Sequence, residues 1–217
     1  MTQIPFVANW DDIHCFQACL SMVLQTFSPT QTLNHSQLEE VTGKRDTKTT
    51  WHTQGILYLL DQGFEVICQK DFDYQRFATL GETYLYERFG LQLGRVITKF
   101  SDIPSEITYA KQLISRINIS PYNPTIQDIT TFLNSGYLII CLVNLCKLNN
   151  QIGYDPHFIL IYNIQNQEVY CHDPGPPAIA SRKIPIEEFE TAWSSPTKRD
   201  RNLIAIKYPT TLKIIRN

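Results

Sequence analysis

The 217-residue sequence predicts an α+β fold: a single domain over 1–217, with a helical lobe over about 1–135 and a mainly antiparallel sheet lobe over about 136–217. Three observations carry that prediction. Amphipathic helical patterns dominate the chain up to Asn134, and strand-like runs follow one another after Gly136. One helix near the N-terminus is apolar nearly all round, as a central buried helix must be. Helices first and strands last place the two kinds of element in packed layers rather than in alternation.

The buried helix is expected from about Ile13 to Phe27, ending at Ser28-Pro29, with Phe16, Leu20, Val23, Leu24 and Phe27 on one side. Ser36-Gln-Leu-Glu39 has the form of a capping box and opens a short helix that Gly43 closes. Lys44 to Thr50 is a polar loop, Trp51 to Gln62 a helix, and Phe64 to Gln69 a strand. Asp73 caps a helix expected to run from Tyr74 to about Phe89, through Gly81 at a cost of roughly 1 kcal/mol relative to Ala. Ser105–Ile117 and Thr125–Asn134 carry two further amphipathic helices, separated by Pro121 and Pro124. Strands are expected at Tyr137–Asn144, His157–Asn163, Val169–Asp173 and Leu203–Tyr208, with a short helix at Pro185–Trp193.

Composition excludes several classes of function. A net charge of −2, with basic pairs interrupted by acids, argues against nucleic-acid binding. The longest apolar stretch, Tyr137 to Val143, is too short to span a bilayer, and Asp11 and Asp12 precede any signal-like core. A soluble, cytoplasmic protein is expected. The six cysteines fall mostly inside apolar segments and form no CxxC pair, so neither a disulfide framework nor a structural zinc site is expected.

The chemistry centres on Cys15. In the first turn of a buried helix, the free backbone N–H groups and the macrodipole favour a thiolate. Far downstream, HFILIYNIQNQEVYCHD has the form of a hairpin. With the turn centred on Gln165, His157 would face Asp173 directly, their Cβ atoms roughly 5 Å apart. The carboxylate would then hold the imidazole and leave its other nitrogen free as a base, whereas a one-residue slip would separate the two groups. Cys19, one turn after Cys15, lies too deep in the helix to react. Trp51 and Trp193 are expected as core or cleft-wall aromatics, and His172, pointing away from Asp173, as structural.

Cys15 followed by FQACLSMVL, then HFILIYNI and VYCHDP, resembles the papain-like peptidases of the double-glycine leader (bacteriocin-processing) family and their stand-alone relatives. The resemblance covers the N-terminal helix and roughly Gly136 to Trp193. It implies a papain-like fold, with Cys15 as nucleophile, His157 as general base and acid, and Asp173 orienting the imidazole. It also implies an oxyanion donor six residues before the nucleophile, where Asn9 replaces the family's Gln, and it requires no cofactor. His14 and Phe16 replace the family's Asp and small residue on either side of Cys15. Asp11 and Asp12 would add negative charge near the thiol, with Asp12 more suited to capping the helix.

The expected activity is therefore hydrolysis of a peptide or of a small acyl or amide substrate through a thioacyl-enzyme. Two alternatives stand beside it. One is acyl transfer to an amine or thiol through the same intermediate. The other is a peptide-binding module without catalysis, since loss of one oxyanion donor typically costs about 10²–10³ in rate.

Overall fold

The computed structural model describes residues 4–30 and 32–209. Among them, six strands form one antiparallel sheet in the order β1-β6-β2-β3-β4-β5. Its strands are β1 (Glu65–Lys70), β2 (Leu138–Asn144), β3 (Pro156–Gln165), β4 (Glu168–Asp173), β5 (Ile179–Pro185) and β6 (Asn202–Lys207). The architecture is α+β. The helical part of the chain is not separate from the sheet, because β1 is its contribution and pairs with β6 at one edge.

The central strands are apolar on both faces because both faces are covered. Leu138 and Ile140 of β2 pack with Phe158 and Leu160 of β3 toward the buried helix α1 (Cys15–Phe27). Ile139, Cys141 and Val143 face the opposite way, with Ile159 and Ile161, toward α7 (Ile126–Asn134) and α9 (Ile186–Trp193). Trp193 is fully buried there, its indole N–H donating to the Asn202 carbonyl oxygen. Helix α1 is buried nearly all round, from Phe16 through Leu24.

Several helix boundaries differ from expectation for identifiable reasons. Helix α1 begins at Cys15, not Ile13, which is 58 % exposed. Asp12 does not cap it: the cap position belongs to His14, and no side chain bonds there. Helix α2 (His35–Thr42) is opened by a capping box between Asn34 and Gln37, two residues before the box expected from Ser36 and Glu39. Both quartets fit the motif, and Glu39 instead reaches His14. The expected Tyr74–Phe89 helix is two: α4 (Tyr74–Leu80), capped by Asp73, and α5 (Glu82–Phe100), kinked at Gly90. Gly81 separates them at φ 56° and ψ −125°, a conformation that only glycine adopts readily. Helix α3 (Thr53–Asp61) and helix α6 (Ile103–Arg116) lie close to the expected spans. Strand β5 and the one-turn α8 (Leu145–Leu148) carry no strong sequence pattern and were not anticipated.

Candidate functional site

The hairpin of β3 and β4 sets the geometry of the site. Its turn is Asn166-Gln167, both residues at positive φ, as a two-residue hairpin of this twist demands. Next to the turn, Gln165 pairs with Glu168 and Asn163 with Tyr170; beyond an irregularity at Tyr162 the register shifts, pairing Ile161 with Cys171 and Leu160 with His172. His157 and Asp173 therefore do not face each other directly, contrary to the expected turn at Gln165. Continued one residue further, the shifted ladder brings Asp173 opposite Ile159, diagonal to His157 and on the same face. Without the shift the two residues would lie on opposite faces.

The imidazole Nε2 of His157 lies 2.8 Å from Oδ1 of Asp173, and both residues are buried. The other ring nitrogen carries no hydrogen bond among the described residues, and Cys15 lies near enough to influence the ring. Burial disfavours the imidazolium, but the bond to Asp173 and the influence of the neighbouring Cys15 outweigh it and raise the His157 pKa to about 9. Asp173 accepts two further hydrogen bonds, from the Gly175 backbone N–H at 3.0 Å and from Arg182 Nη1 at 2.7 Å. Burial would raise its pKa; His157, Arg182 and Gly175 together hold it below the usual carboxylate range. Cys15, Asp173 and His157 are thus brought together from the start of α1 and the ends of two neighbouring strands.

Cys15 is partly exposed at the first position of α1, where backbone N–H groups lack helical partners. Cys19 is buried, its sulfur 3.5 Å from the Phe158 carbonyl oxygen, and burial first, then the charges of Cys15 and Asp173, push its pKa well up. It cannot compete as a nucleophile. His172 donates from Nε2 to the Ile4 carbonyl oxygen, accepts the Ser181 N–H at Nδ1 and packs on Phe6 and Tyr162, a structural position as expected.

Asn9 is strapped to the turn that follows Asp173. Its backbone N–H donates to the Pro174 carbonyl at 2.8 Å, and its side-chain Nδ2 donates to the Gly175 carbonyl at 3.2 Å. Its Oδ1 accepts the backbone N–H of His14 at 3.0 Å. One Nδ2 hydrogen has no partner among the described residues. His14 is fully engaged: its ring lies between Asp11 and Glu39 and stacks on Trp10, which stacks in turn on His35. That leaves no ring nitrogen for the thiol, and the unusual residue before Cys15 serves to hold the Asn9–Cys15 loop.

A cavity of about 580 Å³ opens beside Cys15. Phe16, in contact with Phe158, lines it together with Trp51, Phe72 and residues of α5 on both sides of its kink. Lys44, Lys48 and Lys70 also line it. Among the described residues, no group of three or more His, Cys, Asp or Glu side chains is arranged to hold a metal ion. Arg182 is the site residue that sequence reasoning missed. It lies on the unanticipated strand β5, where an exposed-looking arginine carries no signal of a buried partner.

The fold is that of the papain-like double-glycine leader peptidases. The peptidase domain of Streptococcus ComA, a bifunctional ABC transporter of a quorum-sensing pathway, superposes with a TM-score of 0.52 at 15 % identity, covering 95 % of this chain and all of that one. A double-glycine motif protease from an AMS/PCAT transporter, in complex with the leader peptide, gives 0.50 at 12 % identity over 96 % of this chain and 94 % of its own. A C39-like peptidase from Bacillus anthracis gives 0.48 at 13 % identity, with 96 % of each chain covered. By sequence, the chain belongs to the family described as guanylylate cyclase, whose model matches residues 2–206. None of the curated proteins matches it.

Proposed function

We propose that this chain is a cysteine hydrolase that forms a thioacyl-enzyme on Cys15. The observation that carries the proposal is the His157 imidazole bonded to Asp173 beside Cys15 at the N-terminal end of a buried helix. His157 takes the thiol proton, and the thiolate attacks an amide or ester carbonyl. The Cys15 backbone N–H, with the unengaged N–H of Asn9, stabilises the oxyanion. His157 then protonates the leaving group, and water, deprotonated by the same imidazole, releases the acyl group. Asp173 keeps the ring oriented and stabilises its charged form, as in other triads. No cofactor enters these steps. The substrate is a peptide or a small acyl or amide compound, and an amine or thiol in place of water would make the same intermediate an acyl donor. The six free thiols suit a reducing, cytoplasmic setting, and no helix among the described residues is long and apolar enough to cross a membrane.

The test is labelling by an acyl-transferring thioester probe, read by mass spectrometry of the intact chain. Wild type should gain one acyl group, Cys15→Ala none, and His157→Ala far less. Undiminished labelling of Cys15→Ala would sink the assignment.

A second reading comes from the family's description as guanylylate cyclase. Lys70 and the rings of Trp51 and Phe72 line the cavity beside Cys15, a lining suited to a phosphate group and a purine base. Formation of cyclic GMP from GTP with a divalent cation, undiminished in Cys15→Ala, would favour that chemistry over the thioacyl route.

A further inference from the structure

Resting on the Cys15 reading above, we propose that the cavity beside the thiol takes an acyl substrate bearing an anionic oxygen group, a carboxylate or phosphate, and that Lys70 binds that group. Lys70 ends strand β1 and extends its side chain into the cavity wall. Its ammonium lies 4.7 Å from the centre of the Phe72 ring and 5.9 Å from that of Trp51. Among the described residues no oxygen lies within hydrogen-bond or ion-pair reach of it. The other two lysines of the lining are already engaged, Lys44 with the Arg45 and Lys48 carbonyl oxygens and Lys48 with that of Lys99.

The nearby acids do not supply the missing partner. Asp200 pairs with Arg88 at 3.2 Å. Glu106 is buried, and burial above all raises its pKa to about 8, so it holds its proton at neutral pH. The ammonium, partly exposed at the cavity wall, has aromatic faces and no protein acceptor, so a ligand oxygen can take the place of cavity water beside it. Burial lowers the Lys70 pKa. An incoming anionic oxygen would supply the acceptor, and the charge-assisted bond would be strong in this half-enclosed site. The cavity's volume is that of a small-molecule pocket, and its apolar lining, with Phe16, Trp51 and Phe72, suits a hydrocarbon spacer. The thiol would thus select acyl groups carrying charge at the end away from the scissile carbonyl.

Matched 4-nitrophenyl esters of straight-chain acids ending in methyl, carboxylate or phosphonate, over a series of chain lengths, test this. At the best length wild type should favour one anionic terminus over methyl by about tenfold or more in kcat/KM, the worth of one charge-assisted hydrogen bond. Whether carboxylate or phosphonate is preferred identifies the group. In Lys70→Met the anionic-to-methyl ratio should collapse to near one, and Lys70→Arg should retain part of it. A wild-type ratio near one at every length, or a ratio unchanged in a folded Lys70→Met, overturns the role of Lys70 while leaving Cys15 as nucleophile. Absence of any turnover lost in Cys15→Ala overturns the thioacyl reading itself, and this inference with it.

Discussion

Arg182 donates from Nη1 to Oδ2 of Asp173 at 2.7 Å, leaving Oδ1 of the same carboxylate to His157 and to the Gly175 N–H. Asp173 is wholly buried, so its charge depends on these partners. Arg182 also donates from Nη2 to the Leu148 carbonyl oxygen, tying β5 to α8.

Arg182→Met should leave a buried carboxylate without one of its two charged partners, the other being His157. Loss of one partner of a buried pair costs about 3–5 kcal/mol. The loss should appear as a lower denaturant midpoint and slower acylation of Cys15. Unchanged stability would mean that water reaches Asp173 and replaces the guanidinium.

His157 gives the stability a signed pH dependence. Its folded-state pKa is raised from 6.5 to about 9, so the folded state holds a proton that the unfolded chain has already lost within that window. The stabilisation is complete below the unfolded value and is lost as the pH rises through about 9. Urea midpoints of wild type and His157→Gln between pH 6 and 10 should converge toward the alkaline end. A constant difference across the range would contradict the assignment.

Glu106 also lowers stability as the pH rises, but because burial favours its neutral form. Its pKa is raised from 4.5 to about 8, chiefly by burial, so stability declines as the pH rises from the unfolded value toward 8, where the folded state must finally give up the proton. The decline should be absent in Glu106→Gln. At pH 8 that variant should exceed wild type by roughly 1–3 kcal/mol in chemical unfolding, and at pH 4 the advantage should vanish.

Gly175 joins Asn9 to Asp173, accepting from one side chain and donating to the other. Its φ is +85°, and a Cβ there would lie 2.2 Å from the Ala178 backbone nitrogen. Gly175→Ala should therefore move the turn, lower acylation of Cys15 at least as much as Asn9→Ala does, and cost about 1–3 kcal/mol of stability. Wild-type acylation rates in Gly175→Ala would show that the strap is dispensable.

The cysteine at the start of a helix, the strand-end histidine and the Asp-Pro that closes the next strand were legible because each sits in a local pattern. A helix apolar all round has to be central, and a run of β-formers around a polar turn has to be a hairpin. The exact pairing was not legible. The register shift at Tyr162 has no sequence mark, yet it returns Asp173 to the face of His157. The two overlapping capping boxes around Ser36 satisfy the same local chemistry, and the choice between them follows from Glu39 reaching His14 across the helix pair.

The sequence by itself thus determined the fold class, the central helix and the residues from which a thiol–imidazole–carboxylate group could be assembled, because periodicity and turn chemistry are local. Only the tertiary structure decided that His157 meets Asp173 diagonally, that Arg182 neutralises the far carboxylate oxygen, and that His14 is withdrawn from the thiol by Asp11 and Glu39. It alone also set Lys70 on the wall of the cavity beside Cys15, against the rings of Phe72 and Trp51. These are relations between residues tens of positions apart, fixed by which surfaces the core brings together, and no local pattern encodes them.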